Sequence, residues 1–304
     1  MANILFDNIV LEPSVELTPF ISIAALNRQN LCVNLLNETP HTDAYLSNRF
    51  GDKYVFCPKA REGIVIILKE LGLQPTDVVT IFTTTGSPYI SGCVTKAIEE
   101  VCKWSRQIEP DTKVLFVNHE FGYSYENVTS LKKYNLPIIE DCAHSFFTES
   151  PDIGKVGDYV IYSLPKPFSL QLGGIIKYRH TISYNCPKGI ERYIKSALEP
   201  QIDSLSSIIK KRFDNYDYYL VCLKDLGINP FFQLKQGDVP GAFMFTWPDR
   251  KDYRKLKTLM NENGVDSSVF FGNDAYFVPI HHNLSRNEID YICTIIRYFI
   301  KESN

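Results

Sequence analysis

The sequence predicts an α/β protein with a mainly parallel sheet in a large domain, followed by a smaller α+β domain at the C-terminus. The first observation is that apolar strand patterns alternate with helical patterns from about residue 60 onward. The second is that this alternation stops near residue 185, where a charged, tyrosine-rich helical stretch begins. The third is an ordinary globular composition over 304 residues, with 44% hydrophobic and 22% charged side chains. A chain of this length can bury one large core or two smaller ones.

The large domain begins with a predicted helix over residues 62–71, which Gly72 closes because glycine readily ends a helix. An apolar run at 78–82 predicts a buried strand. The remaining predicted elements are helices at 94–104 and 127–133 and strands at 113–118, 137–140, 160–163 and 174–178. Helices between successive strands imply right-handed crossovers and therefore a mainly parallel sheet.

In the C-terminal part, the sequence pattern predicts a long helical stretch at 190–226, a strand in GAFMFTW (241–247) and two final amphipathic helices. We therefore expect a large domain over 51–185 and a small domain over 186–304. Residues 1–50 show no clear sheet pattern and are expected to pack on the small domain or on a partner subunit.

Charge and cysteine content narrow the function classes. The formal net charge of −3, from 32 basic and 35 acidic side chains, gives no field that attracts nucleic acid or an anionic membrane, so the expected partners are small molecules. Eight widely spaced cysteines without a zinc-type pattern predict reduced thiols, no metal and a cytoplasmic location. Neither a signal peptide nor an apolar run of about 18 residues is found, so secretion and membrane insertion are not expected.

The predicted strand at 137–140 delivers Asp141 to the carboxyl edge of the sheet, where ligands of open α/β sheets bind. A carboxylate at this edge can pair with a positively charged ligand nitrogen. A single strand-end aspartate is also a common cap of the next helix or turn, so Asp141 alone leaves both roles open.

Lys166 follows the next predicted strand, at 160–163, and the paired Gly173 and Gly174 mark a sharp turn or a close backbone approach just after it. A lysine buried at such a place has a lowered pKa, which makes its amine a competent nucleophile toward an aldehyde. The alternative is a solvated surface charge, which is the usual state of an isolated lysine.

Four motifs occur in a fixed order: IEDCAHS at 139–145, GKVGD at 154–158, SLPK at 163–166 and GGI at 173–175. This order resembles the DegT/DnrJ/EryC1/StrS family of sugar aminotransferases that depend on pyridoxal 5′-phosphate (PLP), and the resemblance runs from about residue 50 to the end. It implies the type I aminotransferase fold, PLP as cofactor, and a homodimer.

The resemblance also assigns roles to single residues. Asp141 is expected to pair with the pyridine nitrogen of PLP, and Lys166 to hold the cofactor and act as general base. His144 is expected on the cofactor face or its phenolic oxygen, with a polar residue at a helix start as the alternative. Ser163 is expected to donate to the phosphate.

The phosphate is also expected at the N–H groups of Ala60 and Arg61, where a helix begins, with help from the guanidinium. The family more often has Ser-Gly-Thr here, and a solvated first-turn arginine is the alternative. Tyr89 is the aromatic residue of the loop at 83–91, and we expect it to stack on the ring unless it is a core aromatic.

Residues 212–216 (RFDNY) resemble a family helix near which a residue reaches the neighbouring subunit's phosphate, so Asn215 is expected to bind the cofactor. A solvated helix face is the alternative. His119 is expected to have a supporting role. His281 and His282 are paired, but two histidines without further ligands do not predict a metal site.

The resemblance implies transfer of an amino group from glutamate to a keto sugar, expected to be nucleotide-linked, in glycan or natural-product biosynthesis. A sugar dehydratase is an alternative, although relatives of that kind have histidine in place of Lys166. A non-catalytic binding or regulatory protein is another, because the segment between Ile98 and Val114 is short and is expected to lack a strand. A dinucleotide or P-loop domain has little support, since neither glycine motif is present.

Overall fold

The computed structural model describes residues 4–6, 9–11, 20–26, 38–151, 153–247 and 252–302. It contains a seven-stranded sheet and a four-stranded sheet with helices packed on both, and a short N-terminal hairpin. The predicted fold class is confirmed: the large sheet is mainly parallel, and a second, smaller sheet follows it in the chain.

The elements of the N-terminal part and the large sheet are β1 (Ile4–Phe6), β2 (Ile9–Leu11), α1 (Pro40–Phe50), β3 (Tyr54–Cys57), α2 (Ala60–Glu70), β4 (Val78–Thr83), α3 (Gly92–Glu99), β5 (Lys103–Ser105), β6 (Thr112–Asn118), β7 (Ile138–Asp141), β8 (Tyr159–Ser163) and β9 (Gly174–Tyr178). The elements that follow are α4 (Lys188–Ile202), α5 (Leu205–Leu223), β10 (Asn229–Pro230), β11 (Phe243–Thr246), α6 (Tyr253–Glu262), β12 (Ser268–Phe270), β13 (Ala275–Val278) and α7 (Arg286–Glu302).

The order of the large sheet is β3-β9-β8-β7-β6-β4-β5, and only β9 runs antiparallel to its neighbours. Parallel β6 and β7 therefore end together, with Asn118 paired to Asp141. Because β9 runs the other way, it starts where β8 ends, and Ser163 pairs with Gly174. This register brings the motif residues to one edge of the sheet.

Alternation along the strands supplies apolar side chains to both faces of this sheet. Ile81, Phe116 and Ile139 point to the face covered by α2 and α3, whereas neighbouring Leu115 and Ile138 pack on the opposite face. The sheet is consequently buried on both sides, as expected for parallel strands.

Helix α4 belongs to the core of the large sheet. Its residues Ile194 and Leu198 are buried with Phe56 of β3 and Leu46 of α1. The carboxylate of Glu199 also accepts hydrogen bonds from the first turn of α1. The predicted boundary near residue 185 therefore falls before a helix that packs on the large sheet.

The small sheet has the antiparallel order β10-β11-β13-β12 and packs against α5, α6 and α7. Part of the N-terminal segment lies against it: Ile21 pairs with Val265, and Ile21 N donates to Gly264 O at 3.1 Å. The rest of that segment, at 1–3, 7–8, 12–19 and 27–37, is outside the described residues.

Three sequence predictions were wrong in detail. The predicted helix at 94–104 ends at Glu99, because the N–H groups of Val101 and Cys102 turn back to the Ile98 carbonyl. Residues 103–105 then form β5 beside β4, so the strand expected to be absent from this segment is present in short form. The predicted helix at 127–133 is a 3-10 helix over Val128–Tyr134.

No helix in the described ranges is both long enough and apolar enough to cross a membrane. The seven cysteines that fall within these ranges are free thiols.

Candidate active site

Asp141, the last residue of β7, is a buried carboxylate with a free oxygen. Its side chain is 7% exposed, and Oδ1 accepts a hydrogen bond from Ala143 N at 2.9 Å. Within the described chain, Oδ2 has no hydrogen-bond partner. Burial raises the pKa of Asp141, and the positive charge of Lys166 opposes this rise. The site thus offers an acceptor to a positively charged donor.

Lys166 lies in the turn after β8, and its amine contacts His144 Nε2 within hydrogen-bond distance. The turn is fixed by backbone hydrogen bonds, including Leu164 N to Gly173 O at 3.0 Å. Burial lowers the pKa of Lys166, while the nearby charge of Asp141 acts in the opposite direction. A lowered pKa increases the fraction of neutral, nucleophilic amine.

His144 is held as a neutral imidazole. Burial lowers its pKa well below the usual range, and the charges of Lys166 and Arg212 add to this effect. A neutral imidazole accepts a hydrogen bond from the Lys166 amine at Nε2 in one tautomer and donates one to the neutral amine in the other. The ring packs on Phe121 at 5.0 Å between ring centroids, and Phe121 has a left-handed φ of 54°. On the other side, a Cβ at Gly241 would lie 2.9 Å from His144 Nδ1.

The start of α2 lies beside the end of β8. No side chain caps the first turn of α2, so the N–H groups of Ala60 and Arg61 remain available to an anion. Gly174 faces this turn so closely that an added Cβ would lie 3.0 Å from Ala60 N. Ser163, which pairs with Gly174 across strands β8 and β9, forms no side-chain hydrogen bond in the described part of the protein. Arg61 is exposed and directs Nη2 toward Cys93 Sγ at 3.6 Å.

These donors and acceptors fit PLP. The free oxygen of Asp141 suits a protonated pyridine nitrogen, and the Lys166 amine suits the aldehyde. The uncapped turn of α2, together with the Ser163 hydroxyl and the Arg61 guanidinium, suits a phosphate dianion.

The structure does not bring Tyr89 or Asn215 to Lys166. Tyr89 is 41% exposed and packs on Phe271 at 5.4 Å between ring centroids. Asn215 is 0% exposed, and its amide donates to the carbonyls of Ile280 and His281. A side chain buried in this way does not fit the predicted reach of Asn215 to a neighbouring subunit.

Glu140 anchors β7 immediately before Asp141, and its role was not predicted. The carboxylate is buried and bonds to His119 Nε2 at 2.9 Å. It also accepts backbone N–H bonds from Gly154, Val156 and Gly157. Burial by itself would raise the pKa of Glu140, but the hydrogen bond from His119 and those from the backbone donors outweigh it and lower the pKa. A glutamate inside an apolar strand was the sequence signal for this anchor.

His119, Glu140 and Cys142 have potential ligand atoms within 4.8 Å of one another, yet their bonding leaves no open metal site. His119 Nδ1 accepts from Tyr125 N at 3.0 Å, so Nε2 carries the proton donated to Glu140. Burial also raises the pKa of Cys142 well above the usual range, which disfavours a thiolate. The supporting role expected for His119 remains its best description.

Arg212 of α5 is a buried cation behind Lys166. It is 3% exposed, and its Nη2 donates to the Lys166 carbonyl at 2.9 Å. Burial lowers its pKa to about 10, so the guanidinium stays charged at neutral pH. Aromatic residues around Arg212 in the sequence were the signal that this helix face is not solvated.

A narrow cavity connects the side chains of Lys166, His144 and Arg212. It lies between the loop after β7, the Lys166 turn, α5 and the segment before β11. Its lining residues are His144, Phe147, Lys166, Pro167, Arg212, Val239, Pro240 and Gly241.

Comparisons with known proteins agree with this geometry. The chain matches the family described as "Putative PLP-dependent aminotransferase" over residues 49–221, which is more than half of its length. A search of curated proteins found no match.

Solved structures of aminotransferases share the fold. The aminotransferase TlmJ from Streptoalloteichus hindustanus is 15% identical with a TM-score of 0.69, over 87% of this chain and 91% of that one. A DegT DnrJ EryC1 StrS aminotransferase from Brucella abortus is 16% identical with a TM-score of 0.65 over the same shares. The PLP form of Spr1654 from Streptococcus pneumoniae, described as a "putative sugar aminotransferase", is 15% identical with a TM-score of 0.68, over 90% of this chain and 94% of that one.

The family match and the shared fold lead to one conclusion. The chain belongs to this family of PLP-dependent aminotransferases, and it has the fold of the DegT/DnrJ/EryC1/StrS-type sugar aminotransferases.

Proposed function

We propose that this aminotransferase moves an amino group from glutamate to a keto sugar. The observation that carries the proposal is the Lys166 amine, which contacts neutral His144 and lies under the electrostatic influence of buried Asp141. An amine in this environment is suited both to hold an aldehyde cofactor and to carry protons.

Bound PLP supplies an electron sink for the bonds at the amino-bearing carbon. Asp141 would hold the pyridine nitrogen through its free oxygen. Ala60 N, Arg61 and Ser163 would hold the phosphate at the start of α2.

Lys166 would then act as the proton carrier. Its Nζ would take the proton from the α-carbon of the amino donor, a step that requires the neutral amine. The lowered pKa of Lys166 makes that form more abundant at a given pH than for an ordinary lysine. His144 Nε2 lies within hydrogen-bond distance of Nζ, and this contact would fix where the amine points.

The keto sugar is proposed from the kind of relative that shares the fold, such as Spr1654, described as a "putative sugar aminotransferase". We propose a nucleotide-linked sugar in glycan or natural-product biosynthesis, and a homodimer in the cytoplasm. The dehydratase alternative is disfavoured because Lys166 is present. The non-catalytic alternative is disfavoured because Lys166, Asp141 and the uncapped first turn of α2 suit the aldehyde, the pyridine nitrogen and the phosphate of PLP.

The test measures 2-oxoglutarate released when the PLP-loaded protein meets glutamate, and then amination of a panel of free and nucleotide-linked keto sugars. The wild type should release 2-oxoglutarate and aminate at least one nucleotide-linked ketone. Lys166→Ala and the charge-conserving Lys166→Arg should do neither, because neither side chain can carry the proton. Amination of keto acids but of no sugar would contradict the proposed acceptor, and no release of 2-oxoglutarate would contradict the proposed donor.

A further inference from the structure

Ser169, three residues after Lys166, is a fully buried residue whose polar groups are bonded to other segments of the chain. Its backbone N–H donates to Gln201 Oε1 at 2.9 Å, and its carbonyl accepts from Gln201 Nε2 at 3.3 Å. Gln201 lies in the last turn of α4, so its side-chain amide holds the Ser169 backbone as a neighbouring strand would. The end of the Lys166 turn is therefore attached to α4.

The Ser169 hydroxyl joins the turn to two further segments. It donates to the carbonyl of Ala25, which is 0% exposed. The side-chain amide of Asn283 donates both to Ser169 Oγ at 2.7 Å and to Ala25 O at 2.8 Å. The two amide protons and the hydroxyl proton account for these three bonds. Asn283 follows β13, so one hydrogen-bond junction connects the Lys166 turn, the small sheet and the N-terminal segment.

Residues 20–26 run along the small sheet before they reach this junction. Ile23 N donates to Asp266 Oδ2 at 3.1 Å, and Asp266 N donates to Ile21 O at 2.8 Å. The segment is thus bonded to the small-sheet side of the molecule near its start and to the Lys166 turn near its end. These bonds link the position of the turn to the packing of the small sheet.

The position of this turn determines where the Lys166 amine lies. The amine contacts His144 Nε2, and the charge of Asp141 acts on it. A lysine has a flexible four-carbon stem, so its amine is placed reproducibly only if its backbone is held. Reacting groups that are displaced by about 1 Å lose about 100-fold in rate. A firmly bonded turn therefore serves the chemistry of the lysine.

We infer that Ser169 and Asn283 are positioning residues for Lys166, an inference that rests on the proposed role of Lys166. Neither side chain lines the cavity, so both act through the turn that carries the lysine. The junction consists of a hydroxyl, an amide and a carbonyl, all neutral. It fixes the turn without placing a further charge beside an amine that must exchange protons.

The test follows the visible absorbance of the PLP-loaded protein across pH, which reports protonation of the nitrogen that Lys166 would share with the cofactor. The variants are Ser169→Ala, Asn283→Ala and the double variant. Burial is the largest influence on Lys166 and lowers its pKa, so a looser, more hydrated turn should raise the midpoint. We expect each single variant to raise it by about half to one pH unit, a change of about three- to tenfold in the protonation equilibrium. The double variant should rise by less than the sum, because both substitutions break the same junction.

Ser267→Ala is the matched control. It removes another buried serine hydroxyl, whose Oγ lies 2.6 Å from Tyr276 OH in the small sheet. In the described structure no hydrogen bond joins Ser267 to the Lys166 turn, so its absorbance midpoint should equal that of the wild type. If Ser169→Ala does not fold, as judged by its thermal midpoint, Asn283→Ala reports the same shift, because Asn283 is only partly buried.

An unchanged or lowered midpoint in Asn283→Ala, an equal rise in Ser267→Ala, or single rises that add fully in the double variant would overturn the inference. If the wild type forms no cofactor adduct on Lys166, the proposed role of that lysine fails separately. Hydrogen–deuterium exchange of the peptide over 164–172 then decides whether the junction fixes the turn. Faster exchange in Asn283→Ala but not in Ser267→Ala would support the junction, and equal exchange in both would overturn it.

Discussion

At the scale of single residues, Asp141 and Lys166 influence each other's protonation. Burial raises the pKa of Asp141 and lowers that of Lys166, and each charge opposes the shift of the other. The carboxylate thus has two effects: it offers an acceptor to the cofactor nitrogen, and it keeps the Lys166 amine more basic than burial alone would.

Asp141→Asn separates these two effects. Hydrogen bonds to charged groups contribute about 1.5–3 kcal/mol, so the glutamate half-reaction should slow about 10- to 100-fold. The rate should rise with pH through the pKa of Lys166, below the ordinary value of 10.5. Removing the Asp141 charge should move that rise to lower pH. Single-turnover rates across pH measure both effects.

Asp158→Asn is the control for Asp141→Asn, because Asp158 Oδ2 accepts from Ile138 N at the opposite end of the same strand. Its pH profile should match the wild type. A profile for Asp141→Asn that is slower but not displaced would contradict the electrostatic coupling to Lys166.

At the scale of elements, the close approach of β9 to α2 shapes the phosphate site. An added Cβ at Gly174 would lie 2.7 Å from Cys57 Sγ and 3.0 Å from Ala60 N. Gly174→Ala should push the first turn of α2 away and weaken PLP binding by about tenfold or more, since misplaced donors lose charge-assisted hydrogen bonds. Equilibrium titration with PLP measures this change.

Gly92→Ala is the matched variant for Gly174→Ala, because it lies in the first turn of α3 and an added Cβ meets nothing within 4 Å. Its PLP affinity should equal that of the wild type. Equal affinities for both variants and the wild type would contradict a phosphate site at α2.

Elements with long apolar runs could be predicted from the sequence, and short ones could not. VVTIFT and TKVLFVN are strands because their side chains are buried on both sheet faces. Strand β5 has three residues and the hairpin β12–β13 has short strands, so neither shows enough alternation to be distinguished from a loop. They form because neighbouring strands offer them hydrogen bonds.

At the scale of the whole molecule, the Glu140 anchor ties β7 to the loop before β8. Glu140→Gln replaces a buried carboxylate, which accepts hydrogen bonds from four donors, with a neutral amide. The change should lower the free energy of unfolding by about 3 kcal/mol at pH 7. Because the pKa of Glu140 is lowered in the folded state, its contribution is present above the ordinary value of 4.5 and is lost as pH falls through the lowered pKa. Urea unfolding of wild type and variant should therefore converge in acid.

Glu126→Gln is the control for Glu140→Gln, because it makes the same substitution in an exposed ion pair, that of Glu126 with Lys235. Its urea midpoint should match the wild type, because exposed pairs contribute little. A difference between wild type and Glu140→Gln that stays constant down to pH 3 would contradict the charge-based account of the anchor.

The candidate site could be predicted where its residues fall in recognisable motifs, as Ala60 and Arg61 do at the start of a helix. Asp141, His144, Ser163 and Lys166 fall in adjacent motifs, and the sheet register brings these motifs to one edge. Arg212 and Gly241 reach the same cavity from distant elements, and only the packing of α5 and the segment before β11 places them there. Asn215 is a polar residue in a segment that resembles a family helix, yet tertiary packing buries it.

The central claim is that Lys166 holds the cofactor. The most direct test is borohydride reduction of the PLP-loaded protein, followed by proteolysis and mass spectrometry of the peptides. The account predicts one dominant adduct on the peptide with Lys166, absent from Lys166→Ala. An adduct mainly on another lysine of lowered pKa, such as Lys177, or no adduct at all, would contradict it.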